Sequence, residues 1–271
     1  YQLEYSKLFK SNISLILNIS PDHLERHKTI NRYVSAKFKL IKNQSKKDIA
    51  ILNTENFYIK RELNSKKFLP KIIKIEKKLD NIFLKKIDNQ YFNTDGNREN
   101  LKFVLAITKI LKLKKKLLIN TLKKFKGLKY RQQIIFQSKK LTIINDSKAT
   151  TFASSKSLLK SLNNVYWIVG GQAKKGDKLL LSKKNCENFK AYIFGVNKKF
   201  FINNIKKTMK YESFADLKNL IKKLFSDVRA DKTTIHKTIL FSPSSASFDS
   251  FKNFEKRGSY FNQLIKKYIN A

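Results

Sequence analysis

Apolar and polar positions divide this chain into two halves with different rhythms. Residues 14–19 form a short apolar run that ends at Ser20-Pro21-Asp22, where proline and aspartate close a strand and open a helix. A helical spacing over 23–41 puts Tyr33, Ala36, Phe38, Leu40 and Ile41 on one side, and residues 48–53 read as the next buried strand. The stretch 57–93 mixes β-like runs at 71–75 and 81–84 with turn residues and predicts a small sheet. Helices follow at 97–113, with Leu101, Val104, Leu105, Thr108 and Leu111 on one face, and at 117–125. The run from Gly127 to Arg131 breaks the pattern and sets a domain boundary between 127 and 128. Beyond it, strands at 133–136, 141–144, 165–169, 191–194 and 238–241 alternate with helices near 151–162, 198–208, 213–225 and 251–269. Such alternation predicts an α/β fold with right-handed crossovers and a mostly parallel sheet covered on both faces.

Composition narrows this picture. A length of 271 residues with 41% hydrophobic content suits two folded domains. No apolar run approaches the roughly 18 to 20 residues that cross a bilayer, and nothing reads as a secretory signal, so no membrane insertion and a cytoplasmic location are expected. The single cysteine, Cys186, excludes an internal disulfide and a zinc-binding Cys cluster. A net charge of +39 suggests polyanions, yet lysine far outnumbers arginine and is scattered along every helix. With 7 Gly and 3 Pro beside abundant Lys, Asn and Ile, the bias is chain-wide, so no specific nucleic-acid partner is expected. The charge still draws small anions such as nucleotides. The chain opens on Tyr1-Gln2-Leu3-Glu4 without methionine and reads as a fragment.

Candidate chemistry collects after the predicted strands, where parallel sheets bind ligands. Asp146 and Lys148 stand two apart after the 141–144 strand, with Thr150 and Thr151 at the start of a helix whose amides and dipole attract anions. The loop reads equally as an anion site with Asp146 on a ribose and as an ordinary helix cap made by Asp146 or a threonine. Gly170-Gly171 permits close backbone approach to a ligand, with Lys174 adding charge; Ser244, Ser245 and Ser247 precede the last helix. His23 is either a phosphate or metal contact or a structural residue. Lys37, near the helix's inner side, reads by itself as a lysine whose stem packs while its ammonium reaches water. The chain holds neither a G-x-x-x-x-G-K-[ST] phosphate loop nor a G-x-S-x-G elbow.

Three quoted runs carry a resemblance: Asn145-Asp146-Ser147-Lys148-Ala149-Thr150, the Gly170-Gly171 loop with Lys174, and the stretch from Ser242-Pro243 to Arg257-Gly258. Together with the run from Leu17 to His27 and Tyr33-Val34-Ser35-Ala36-Lys37, they resemble the branch of the Mur ligase family that adds D-glutamate to UDP-N-acetylmuramoyl-L-alanine in peptidoglycan synthesis. The resemblance runs end to end. It implies the remainder of a central ATPase-type α/β domain over 1–127, then a Rossmann-like D-glutamate-binding domain over 128–271. It also implies a monomer using ATP and Mg²⁺. His23 would ligate Mg²⁺, and a carbamylated Lys37 would help hold the metal. Asn97, Asn100, Arg131 and Asp146 would contact ATP, with Lys148 near the transferring phosphate. Thr150, Lys174, Ser247, Phe248 and Phe254 would hold D-glutamate.

Two features depart from the family pattern. Gly96 stands where a histidine is common, and the family's UDP-binding domain, phosphate loop and Glu-x-Ser-Ser segment are absent, so the 271 residues are expected to be inactive alone. The rival readings are a sibling Mur or folylpolyglutamate-type amide ligase, and a basic RNA-binding protein using the +39 charge.

Overall fold

The computed structural model describes residues 2–75 and 79–269. The chain forms two compact units, one of Tyr1–Phe92 with Gly96–Lys124, the other of Asn93–Asp95 with Phe125–Ala271. The change of unit falls just before the expected break at Gly127.

In the first unit, helix α1 (Gln2–Tyr5) precedes strand β1 (Ile13–Ile16), helices α2 (Leu24–His27) and α3 (Ile30–Lys42), and strand β2 (Ile49–Leu52). Helix α4 (Phe57–Ser65), strand β3 (Lys71–Lys74), and helices α5 (Asn81–Ile87), α6 (Asp95–Ile110) and α7 (Lys115–Lys124) follow. The three strands pair in parallel in the order β1-β2-β3. Alternate strand residues serve opposite faces: Ile16, Ala50 and Leu52 pack on Val34, Phe38, Ile41 and Ile59, while Leu15, Ile51 and Ile73 pack on Phe103 of α6.

Local capping overrides several sequence readings here. The single helix expected over 23–41 is two, because Lys28 turns at φ 64° and the Thr29 side chain accepts from the Arg32 amide to start α3 afresh. Of the small sheet expected over 57–93, the run at 71–75 forms β3 and pairs with β2, but the run at 81–84 is helical. Asn56 caps α4 by accepting from the Ile59 amide, and Asp80 caps α5 over the supposed strand at 81–84. On α6 Val104 is exposed, as is Leu111 just beyond its end, whereas Phe103 is buried.

The second unit holds strands β4 (Gln133–Gln137), β5 (Leu141–Asn145), β6 (Val165–Gly170), β7 (Phe189–Phe194), β8 (Lys210–Ser213) and β9 (Lys237–Phe241). Helices α8 (Phe152–Lys160), α9 (Lys198–Ile205), α10 (Leu217–Ala230) and α11 (Phe254–Ile269) connect and cover them. The sheet order is β4-β5-β9-β6-β7-β8, parallel except for the antiparallel β4–β5 hairpin. Ile143, Ile168, Ile239 and Phe241 face the α10–α11 layer, and Ile144, Trp167, Val169 and Leu240 face the α8–α9 layer. Burial on both faces is why these strands read as unbroken apolar runs. Strand β8 escapes that signal because Lys210, Tyr211 and Ser213 are exposed. The helix expected from 213 begins later, where Asp216 accepts from the Asn219 amide. Cys186 is buried, and burial pushes its thiol up to about 11, in keeping with an inert role.

At the amino end of this sheet, Tyr192 and Lys190 both donate to Asp227 Oδ2 at 2.6 Å, and Tyr166 donates to Asp231 Oδ2 at 2.7 Å. Partial burial alone would raise the Asp227 carboxyl, but hydrogen bonds from Lys190, Lys223 and Tyr192 outweigh it and hold it at about 2. Asp231 also lies at about 2, as the bonds from Tyr166 and Thr233 overcome its desolvation. A carboxyl depressed on folding stabilises the fold above its unfolded value and loses that contribution as pH falls through the folded value. Urea unfolding should therefore show stability falling between about pH 5 and pH 2, and Asp227→Asn should remove about 1–2 kcal/mol of that dependence.

Candidate active site

Three loops leave the carboxyl ends of the neighbouring strands β5, β9 and β6 and are bonded to one another. Trp167 Nε1 donates to the Ser242 carbonyl at 2.8 Å, and the Gly170 amide donates to the Pro243 carbonyl at 2.9 Å. Gln172 and Ala246 exchange two amide–carbonyl bonds of 3.2 and 3.0 Å, and Ser245 Oγ donates to the Gly170 carbonyl. The Ser155 hydroxyl lies 2.7 Å from those of both Ser242 and Ser244, and Ser242 Oγ donates to Asp146 Oδ2 at 2.8 Å.

The paired glycines serve this stitching. A Cβ on Gly170 would sit 2.0 Å from the Phe194 carbonyl oxygen, and one on Gly171 would sit 2.5 Å from Ser245 Oγ and 2.9 Å from the Ala246 carbonyl oxygen. Their φ angles of +133° and +125° also exclude ordinary side chains. The space that the sequence assigns to an approaching ligand is filled by the protein's own chain.

Arg257, on the first turn of α11, is wholly buried and carries the stitching further. Its guanidinium donates to Ser147 Oγ at 3.1 Å, the Ser147 carbonyl at 2.8 Å, Ser245 Oγ at 3.2 Å, and the carbonyls of Ser245 and Ala246 at 2.9 and 3.2 Å. All five donors are used on neutral acceptors from two different loops. Burial lowers the guanidinium to about 10, which still leaves it charged at neutral pH, with Asp249 opposing the shift. The sequence placed Arg257 within a motif but gave it no role. Nothing in one sequence marks which arginine is buried.

Asp146 lies beneath the same rim, 6% exposed. Its Oδ1 accepts from the Gln132 amide at 3.1 Å and its Oδ2 from Ser242. Burial raises the carboxyl to about 7, against the pull of Ser242, Gln132 and Arg131. Asp146 is thus a buried linker of the β4, β5 and β9 ends, not a cap of α8. Thr151 caps that helix, in a reciprocal pair with Ser154. The first amide of α8, on Phe152, donates to Asp177 Oδ2 at 2.7 Å. The helix start that the sequence offers to an anionic ligand already holds a carboxylate of the chain.

The expected ligand contacts in this unit divide by exposure. Lys148 Nζ stands 3.9 Å from the Phe254 ring centroid, so two of them meet directly as a cation–π pair. Ser247 is buried, Lys174 half-buried, and Thr150 and Arg131 exposed. Phe248 is 73% exposed and points away from the packed core.

In the first unit, one ring organises two of the candidates. The His23 ring lies 6.2 Å from that of Tyr33, edge to face, and Lys37 Nζ lies 5.2 Å from the same ring. The sequence had counted Tyr33 as core. His23, in a left-handed turn at φ 55°, has Asp22 and Glu25 oxygens 3.5 Å from its two ring nitrogens. Among the described residues no group of three or more His, Cys, Asp or Glu is arranged to hold a metal ion. Asn97 is buried, its Nδ2 donating to the Tyr91 carbonyl at 2.7 Å, and Asn100 is exposed. Between them, Glu99 accepts from Asn53 at 2.9 Å and Asn18 at 3.3 Å, which ties α6 to the carboxyl ends of β1 and β2.

Two measurements check this geometry. The Asp146 carboxyl carbon should titrate by NMR with a midpoint near 7, and a midpoint below 4 would contradict its burial. Because the folded value is raised, Asp146 favours folding at low pH and weakens it as pH climbs toward 7, so Asp146→Asn should flatten stability over that window. Gly171→Ala should cost about 2–4 kcal/mol in urea unfolding, through strain and overpacking at the loop crossing.

The comparisons with known proteins agree with this architecture. The family model described as Mur ligase middle domain matches residues 1–122. The UDP-N-acetylmuramoylalanine–D-glutamate ligase of Rickettsia prowazekii is 32% identical over 99% of this chain, which covers 64% of that protein. The ligase of the same name from Fusobacterium nucleatum is 33% identical over 98% of the chain and is covered to 65%. The chain thus spans just under two thirds of the length of these relatives. Among solved structures, the MurF ligase of Thermotoga maritima in complex with ADP superposes on 95% of the chain and is covered to 63%, with a TM-score of 0.64 at 15% identity. No helix among the described residues is long and apolar enough to cross a membrane. Over residues 1–122 the chain thus matches the Mur ligase middle domain, along nearly its whole length it is similar to curated D-glutamate ligases, and its fold is that of solved Mur ligases.

Proposed function

We propose that the protein is an ATP-dependent ligase that joins D-glutamate to UDP-N-acetylmuramoyl-L-alanine in peptidoglycan synthesis, working in the cytoplasm where both nucleotides are found. Residues 1–127 form its ATP side and residues 128–271 its D-glutamate side. The observation that carries this reading is the set of three mutually bonded loops at the ends of β5, β9 and β6, which bear Lys148, Lys174 and Ser247. The names of the relatives supply the acceptor, and the ADP bound to the Thermotoga neighbour supports a nucleotide.

The chemistry fits this layout. The alanyl carboxylate attacks the γ-phosphorus of ATP, and ADP leaves. The D-glutamate amine, having lost a proton, then attacks the acyl carbon of the resulting acyl phosphate, and inorganic phosphate departs. Each step brings anions together, so the largest contribution the protein makes is to hold them in line and offset their repulsion. Lys148, pinned on Phe254, serves the phosphate side. Lys174 and Ser247 hold the carboxylates of D-glutamate, with Thr150 at the rim. Arg257 adds a fixed positive charge beneath the rim without touching the ligand.

Calorimetry on the 271-residue chain tests the acceptor assignment. D-glutamate should bind, L-glutamate and D-alanine at least about tenfold more weakly, and Lys174→Ala and Ser247→Ala should each weaken D-glutamate by about tenfold, or 1.4 kcal/mol. Equal binding of the three amino acids, or indifference to Lys174→Ala, would overturn it.

A further inference from the structure

We infer that Asp177 is a positioning residue that latches the Lys174 loop onto the start of α8 and so fixes Lys174 for its ligand. This inference rests on the D-glutamate reading of Lys174. The loop after β6 is anchored on both sides of that lysine. Before it, Gln172 pairs with Ala246, and the Ala173 amide donates to Asn197 Oδ1 at 2.8 Å. After it, the Asp177 amide donates to the Lys174 carbonyl at 3.2 Å, which closes a tight turn, and the Asp177 carboxylate reaches across to the Phe152 amide at 2.7 Å. Of the three lysines on this loop, Lys174 alone is half-buried, while Lys175 and Lys178 are exposed.

The choice of partner has a physical reason. The opening amides of a helix are unsatisfied by the helix itself, and its dipole favours a negative charge there. A carboxylate bonded to such an amide makes a charge-assisted bond, roughly twice as strong as a neutral one. The latch therefore draws its strength from the helix that also carries Thr150 and Thr151 at its entrance, so that Lys174 and Thr150 are held at a set spacing. Without Asp177 the loop would keep its Gln172 and Asn197 anchors and swing about them, carrying Lys174 with it.

Hydrogen exchange and calorimetry on the 271-residue chain test this together. Asp177→Ala should speed exchange of the Phe152 amide and of residues 174–178 at least tenfold, leave Gln172, Ala173, β6 and β9 unchanged, and weaken D-glutamate at least tenfold. Asp177→Asn keeps an acceptor oxygen on the same stem and should recover affinity to within about threefold. Unchanged exchange in Asp177→Ala, faster exchange with unchanged affinity, or an Asn variant as weak as Ala would each overturn the latch. If the unaltered chain fails to bind D-glutamate, the ligand assignment falls, and the exchange of Phe152 and its neighbours alone decides whether the latch exists.

Discussion

The buried guanidinium of Arg257 is the constraint on which the candidate site depends. It has no carboxylate in hydrogen-bond contact, and its five donors reach three carbonyls and two hydroxyls contributed by Ser147, Ser245 and Ala246. Placing a charge in the interior is costly unless each donor is satisfied. The loops after β5 and β9 must therefore adopt the one arrangement that satisfies all five. A small displacement of either loop would leave a donor of a buried cation unmet, so the geometry at the rim is held by the penalty for leaving it.

Around that cation the polar interior is arranged to be complete. Ser242, Ser244 and Ser155 share hydrogens in a buried row that ends on Asp146, and Asn145 bridges to the Gly258 carbonyl and Asn262 of α11 at 2.9 and 2.7 Å. Every strand end in the β5-β9-β6 group is thus bonded to its neighbour through side chains as well as backbone. Networks of this kind rigidify when fully satisfied and are costly when partly so. That rigidity suits the proposed task of holding mutually repelling anions in line.

The two units use their carboxyl sheet edges differently. In the second, positive groups dominate: Arg257 beneath the rim, and Lys148 and Lys174 on it. In the first, the edge is neutral to acidic, with Asn18, Asn53 and Glu99 bonded together and His23 beside Asp22 and Glu25. Tyr33 brings His23 and Lys37 together on one ring.

Much of this was legible in the sequence. Strands β5, β6, β7 and β9 of the second unit announced themselves because both their faces are covered, and the motif-bearing loops fell at the ends of β5, β6 and β9. Lys148, Lys174 and Ser247 stand just beyond the ends of β5, β6 and β9, where the sequence placed them. Polar strand β8 and the capped helices α4 and α5 were misread or missed, because side-chain pattern is silent where one residue's cap decides the start. Gly170 and Gly171 were read as room for a ligand, and the start of α8 as an anion's seat. The sequence alone determined the succession of buried strands in the second unit and the kinds of groups at the rim, since those follow from local periodicity and residue chemistry. Only the tertiary structure decided that Phe194 and Ser245 fill the glycine space, that Asp177 takes the α8 amide and that Arg257 binds the loops, because burial and hydrogen-bond partnership are set by residues distant in the chain.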